Sequence, residues 1–166
     1  SSDLGALRTA GLVEAHRERG RRGRPAERFH ATARTEPMFG GSGDDLSIEL
    51  LTHVEAEDPE LVERVFSRRR AQLVDDALAD LEELAVEDRI ARVSELMDAQ
   101  GYLTDHERLD DGHFRINLHN CAIWNVASRF RQACASELEF LQGVLPDASV
   151  ERVTHKTAGA HTCAYD

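Results

Sequence analysis

The apolar positions of this chain change period several times, and each change marks an element. Leu4, Leu7 and Ala10 share one helical face, Gly11 ends that run, and Leu12-Val13 follow. From Glu14 to His30 the pattern is strand-like on either side of Arg19-Gly20-Arg21-Arg22-Gly23-Arg24-Pro25, emerging as the alternating Arg28-Phe29-His30-Ala31. This predicts a hairpin with a basic tip. Pro37, Gly40, Gly41 and Gly43 then interrupt all periodicity and predict a boundary over 35–43. Asp44 or Asp45 can cap a helix reaching about His53. Asp58-Pro59-Glu60 opens another, in which Leu61, Val65, Leu73, Ala77, Leu81 and Leu84 recur at helical spacing. That stripe is wider than one small core absorbs in full, so part of it can pair with a second subunit, with packing inside the chain as the plain alternative.

Further on, Val86, Ile90, Val93, Leu96 and Met97 continue a helical period that ends at Gly101. Tyr102 to Asn117 reads as two strands around Asp110-Asp111-Gly112. Ala122 to Val144 returns to helix with a break near Phe130 to Gln132, and short strands are expected at Val150 to Thr157 and Thr162 to Tyr165, around Ala158-Gly159. The expected fold class is α+β. The pattern divides the chain into a helix and basic hairpin over 1–34, a linker over 35–43, a helical connecting and dimerisation region over 44–100, and a second α+β region over 101–166.

Charge sharpens the division. The 166 residues carry a net charge of -11, but residues 1–34 hold eight Arg against Asp3, Glu14, Glu18 and Glu27, which is +4 and leaves -15 for the rest. A basic head on an acidic body is expected where one end meets phosphate. A helix followed at once by a Gly- and Arg-rich hairpin is the order of a winged helix-turn-helix. Arg8 projects from the helix, and Arg19, Arg21, Arg22 and Arg24 surround glycines that allow close approach to duplex DNA. Because the chain opens inside a helix, further residues are expected upstream. No apolar run approaches bilayer length and no signal segment opens the chain, so the expected location is the cytoplasm, with no membrane partner.

Three cysteines, Cys121, Cys134 and Cys163, are too few and too widely spaced for a disulfide scaffold or a zinc knuckle. Three soft thiolates favour iron-sulfur or zinc over harder cations, and burial as small apolar side chains is the plain alternative. Spacing alone leaves these open.

The segment Leu7 to Ala31 resembles the closing helix and wing of the bacterial repressor superfamily that includes the ArsR-like and DeoR-like regulators. His119-Asn120-Cys121-Ala122-Ile123, Cys134-Ala135-Ser136-Glu137-Leu138, Val150-Glu151-Arg152 and Gly159-Ala160-His161-Thr162-Cys163-Ala164-Tyr165 resemble the SufR family of repressors, which control iron-sulfur assembly operons. The resemblance implies a winged-helix homodimer on double-stranded operator DNA, with a [4Fe-4S] cluster carried by Cys121, Cys134 and Cys163. A [2Fe-2S] cluster or zinc is the alternative cofactor. Clusters normally take four protein ligands, and a fourth cysteine is missing. His161 is favoured for that position because, like His119, it stands two residues before a cysteine and shares its face in an extended segment. His155 and Glu137 are further candidates. The expected function is cluster-dependent repression rather than catalysis. A zinc- or thiol-redox-dependent regulator is the runner-up, and a small iron-sulfur enzyme is disfavoured because no nucleophile-base motif or phosphate loop is present.

Overall fold

A computed structural model describes residues 2–18, 26–35, 38, 43–81, 83–110 and 112–166. Helix α1 (Ser2–Thr9) ends at Gly11, whose φ of +68° turns the chain into strand β1 (Val13–Glu18). Strand β2 (Ala26–Ala31) returns antiparallel to β1, pairing Glu14 with His30 and His16 with Arg28. Directly opposed residues and those two apart point to one side of a strand pair, so these four side chains share a face. Thr32 closes the base of the hairpin: its N–H donates to the Leu12 carbonyl and its hydroxyl to that of Gly11.

Helices α2 (Gly43–Glu57) and α3 (Pro59–Leu81) meet at Asp58. The Asp58 carboxylate accepts from the Glu60 N–H at 2.9 Å, and Pro59 occupies the first helical position, where no N–H is needed. The buried face of α3 is Val62, Phe66, Ala77 and Leu81, whereas Val65 is 43% exposed. The first half of the helix is thus turned by one position from the apolar stripe read in the sequence. Helix α4 (Val86–Ala99) buries Ile90, Val93 and Met97, and Gly101, at a φ of +93°, takes the left-handed conformation that lets the chain leave the helix.

The rest is a four-stranded antiparallel sheet with helices on one side. Its strands are β3 (Thr104–Asp110), β4 (His113–Leu118), β5 (Arg152–Thr154) and β6 (Cys163–Tyr165), in the spatial order β3-β4-β6-β5. Between β4 and β5 lie the short helix α5 (Trp124–Ala127) and α6 (Arg131–Val144), separated by a break at residues 128–130. Helix α6 packs along α3. At Gly143 a Cβ would stand 2.9 Å from Val74 Cγ2, so the absence of a side chain sets how closely the two helices approach. The mixed α+β class is therefore observed.

Two apolar cores result. The larger holds Leu81, Val93, Met97, Tyr102, Leu118, Leu141, Val144, Cys163 and Tyr165. The smaller holds Val62, Phe66, Cys121, Ala127, Phe130, Ala133 and Cys134. Helix α6 contributes to both. Among the described residues no helix is long and apolar enough to cross a membrane.

Candidate functional site

The three cysteines come from three elements and all are buried free thiols. Cys121 follows β4 just ahead of α5, Cys134 lies in the first turn of α6, and Cys163 opens β6. Two belong to the smaller core and one to the larger, so the site straddles the seam between them.

Each sulfur has a hydrogen-bond donor. Burial pushes the Cys121 thiol up to about 12, opposed by the Ile123 N–H, with Glu137, Cys163 and Cys134 adding to the rise. Burial pushes Cys163 up to about 11, opposed by the Lys156 N–H, which donates to its Sγ at 3.4 Å. Cys134 is raised by burial and then by Glu137, while the Arg152 guanidinium and the Thr157 hydroxyl act in the opposite direction. Donors aimed at sulfur stabilise the thiolate over the thiol and tune whatever the thiolate binds.

Glu137 is the carboxylate these thiols share. It lies one helical turn after Cys134 on α6, so both side chains leave the same face. The Tyr165 hydroxyl donates to its Oε1, and Tyr102 supplies a second hydrogen bond. Burial nevertheless holds its carboxyl above the usual range, against the pull of Tyr165 and Arg152. Tyr165 reaches it because Cys163 and Tyr165 alternate on β6 and so share a face. Arg152 Nε donates to the Tyr165 hydroxyl at 3.1 Å, its Nη2 donates to the Cys134 carbonyl, and the guanidinium lies 5.3 Å from the Tyr165 ring centre. Lys156, 6% exposed, donates from Nζ to the His119 carbonyl at 2.9 Å and ties the Cys121 approach to the Cys163 segment. Arg152 is thus the cation that acts on Cys134, Cys163 and Glu137, while Lys156 fixes the segments that carry Cys121 and Cys163. Arg152 and Tyr165 fall inside the segments that carry the resemblance, though without a role there, whereas Lys156 and Tyr102 have no sequence signal, because distant segments bring them together.

The histidines expected near the thiols are placed differently from one another. His119 turns its ring outward to Asp105, Nε2 to Oδ2 at 2.6 Å. His155 is half-buried, and Thr157, which contacts Cys134, lies 2.9 Å from its Nε2. Burial, with Arg152 adding to it, lowers the His155 pKa. His161 does not continue β6: residues 161 and 162 form a bend and the strand begins at Cys163, so the alternation expected of an extended segment does not apply. Its ring stacks on His30 at 5.3 Å, and its Nδ1 lies 3.3 Å from Glu14 Oε1.

Glu14, His16 and His161 form a group whose donor atoms all lie within 4.8 Å of one another. Among the described residues the three sulfurs do not form such a group. One zinc ion with Zn–S bonds of about 2.3 Å would need its sulfurs within roughly 4 Å of each other. Arg8 is exposed on the last turn of α1, while Arg19, Arg21, Arg22 and Arg24 lie outside the described residues. The chain matches no family model, no curated protein and no solved structure.

Proposed function

We propose that this chain is an iron-sulfur-dependent transcriptional repressor of the winged helix-turn-helix type. Cys121, Cys134 and Cys163 would hold the cluster, and Glu137 is the fourth-position candidate that their surroundings favour. One observation carries the reading: three buried thiols from separate elements converge, each with a donor to its sulfur, around one buried carboxylate. When bound, the cluster would supply sensitivity to iron supply and oxidants through its own redox chemistry and lability. The chain's part is to bury the thiols, offset their charge with Arg152, hold the Cys121 and Cys163 segments together through Lys156, and orient Glu137 through Tyr102 and Tyr165.

The DNA-binding half rests on α1 running into the β1-β2 hairpin and on the eight arginines of residues 1–34. The homodimer is supported by an open groove of about 490 Å³ lined by Leu50, Leu51, Val54, Val65, Phe66 and Ile123. Neighbouring Leu46, 58% exposed, extends its apolar rim, and burying such a surface against a second copy would remove it from water.

The test is anaerobic purification of the full chain, with iron, sulfide and zinc measured per chain beside the visible spectrum and operator binding. About four irons and four sulfides are expected, with loss of both in each Cys→Ser variant. Binding should need two half-sites about one helical turn apart. Replacing Arg19, Arg21, Arg22 and Arg24 by Ala should weaken it on every sequence and flatten its salt dependence. A colourless protein holding zinc through sulfur would replace the cluster with a zinc-dependent regulator.

A further inference from the structure

The face of the β1-β2 hairpin that carries Glu14, His16 and His30 lies against the bend at His161. The three imidazole rings stand 5.3–5.4 Å apart, centre to centre, around the Glu14 carboxylate. Glu14 Oε1 is 3.3 Å from His161 Nδ1, and its Oε2 is 3.7 Å from His16 Nε2. This packing joins segments nearly 150 positions apart in the chain. Behind it lies a cavity of about 90 Å³ lined by Glu14, Thr32, Trp124, Lys156 and His161.

We propose that Glu14, His16 and His161, with His30 stacked against them, form a second metal site that takes a divalent borderline transition ion of the zinc class. Imidazole nitrogen and one carboxylate oxygen are the ligand set such ions prefer, and hard cations such as Mg²⁺ or Ca²⁺ would find too few oxygens. Three donors within 4.8 Å of one another can close on one ion by small side-chain rotations, leaving a fourth position for His30 or water. Arg28 stands opposite His16 on the same face, so an arriving cation meets a positive charge, and the Glu14 carboxylate is what offsets it. The site does not depend on the cluster. It has a consequence for it all the same: His161 is two residues from Cys163, so the ion would tether the N-terminal hairpin to the strand that bears a thiol of the first site.

Zinc titrated into the full chain and read by X-ray absorption at the zinc edge tests this directly. One ion per chain is expected, with a nitrogen and oxygen shell at about 2.0–2.1 Å. His16→Ala and Glu14→Gln should each weaken binding about tenfold or more, with iron content unchanged. His16→Gln serves as a second variant that keeps polarity and shape, and circular dichroism confirms that each protein is folded. Sulfur at about 2.3 Å in the shell, or equal zinc binding by the wild type and a His16→Ala/Glu14→Gln double variant, would overturn the proposal. The readout is specific to zinc, so the presence or absence of iron does not enter it.

Discussion

The hydroxyl of Tyr165, on the inner strand β6, donates its hydrogen bond to the carboxylate of Glu137 on α6. Tyr165 belongs to the larger core, and the same hydroxyl accepts from Arg152 Nε. A single oxygen therefore links sheet, helix and guanidinium. Replacing Tyr165 by Phe keeps the ring but leaves a buried carboxylate and a half-buried guanidinium each short of a partner, a cost of about 1–3 kcal/mol. Urea denaturation should show an earlier midpoint with little change in slope.

Glu137 itself separates the fourth-position candidates. Glu137→Gln retains the shape and removes the charge, and the cluster should be lost in air about tenfold faster or more. His161→Gln should leave the lifetime as it is, because that ring packs against His30 and Glu14. The reverse pattern, read from the decay of visible absorption, would return the fourth position to His161.

At Gly143 the expected effect opposes helix propensity. Alanine in mid-helix is favoured over glycine by about 1 kcal/mol, but the new methyl would sit 2.9 Å from Val74 Cγ2, on a β-branched side chain with little rotamer freedom. Overpacking of this kind costs about 1–3 kcal/mol. Gly143→Ala should therefore lower the thermal midpoint, and a paired Val74→Ala should restore part of the loss.

One pH effect follows from Asp166, whose carboxylate takes two hydrogen bonds from Arg115, at 2.7 and 2.6 Å. The Arg115 guanidinium holds this carboxyl below its ordinary value. A depressed carboxylate contributes stability that is present above the unfolded-state value and is lost as pH falls through the folded one. Chemical denaturation from neutral pH down into the acid range should show the loss in the wild type, and Asp166→Asn should show a shallower decline. Equal slopes would remove this pair from the acid response.

Much of this architecture was legible in local pattern. Pro59 after Asp58, the interruption near Phe130, and the glycines at 101 and 159 are signals that act over a few residues, and the elements begin or end beside them. The orientation of α3 was not legible. Val62 and Phe66 are as consistent with a helical stripe as Leu61 and Val65, and only the packing partners choose between them. The motifs of the resemblance single out the three thiols, since their number and spacing alone fit plain burial as well. Lys156 is not singled out in this way, and Arg152 only as part of a motif without a role, since a cation reads as surface until a distant carbonyl or hydroxyl is shown to receive it. The pairing of Glu14 with His30 follows from the hairpin register, whereas the arrival of His161 beside them needed the tertiary fold.

The placement of the thiols on both sides of a seam bears on how the molecule comes apart. Cys121 and Cys134 are anchored in one apolar cluster and Cys163 in the other, with α3 and α6 as continuous rods through both. A cofactor held by all three would act as a rivet, making the two halves melt as one cooperative unit. Without it, the halves are still joined by α3 and α6, which both run through the two cores, but β6 loses its tie to the smaller one, and amide exchange in β6 should become faster than exchange in the part of α6 that faces α3. Loss of the cofactor would then be felt as a change in cooperativity before any change in average shape.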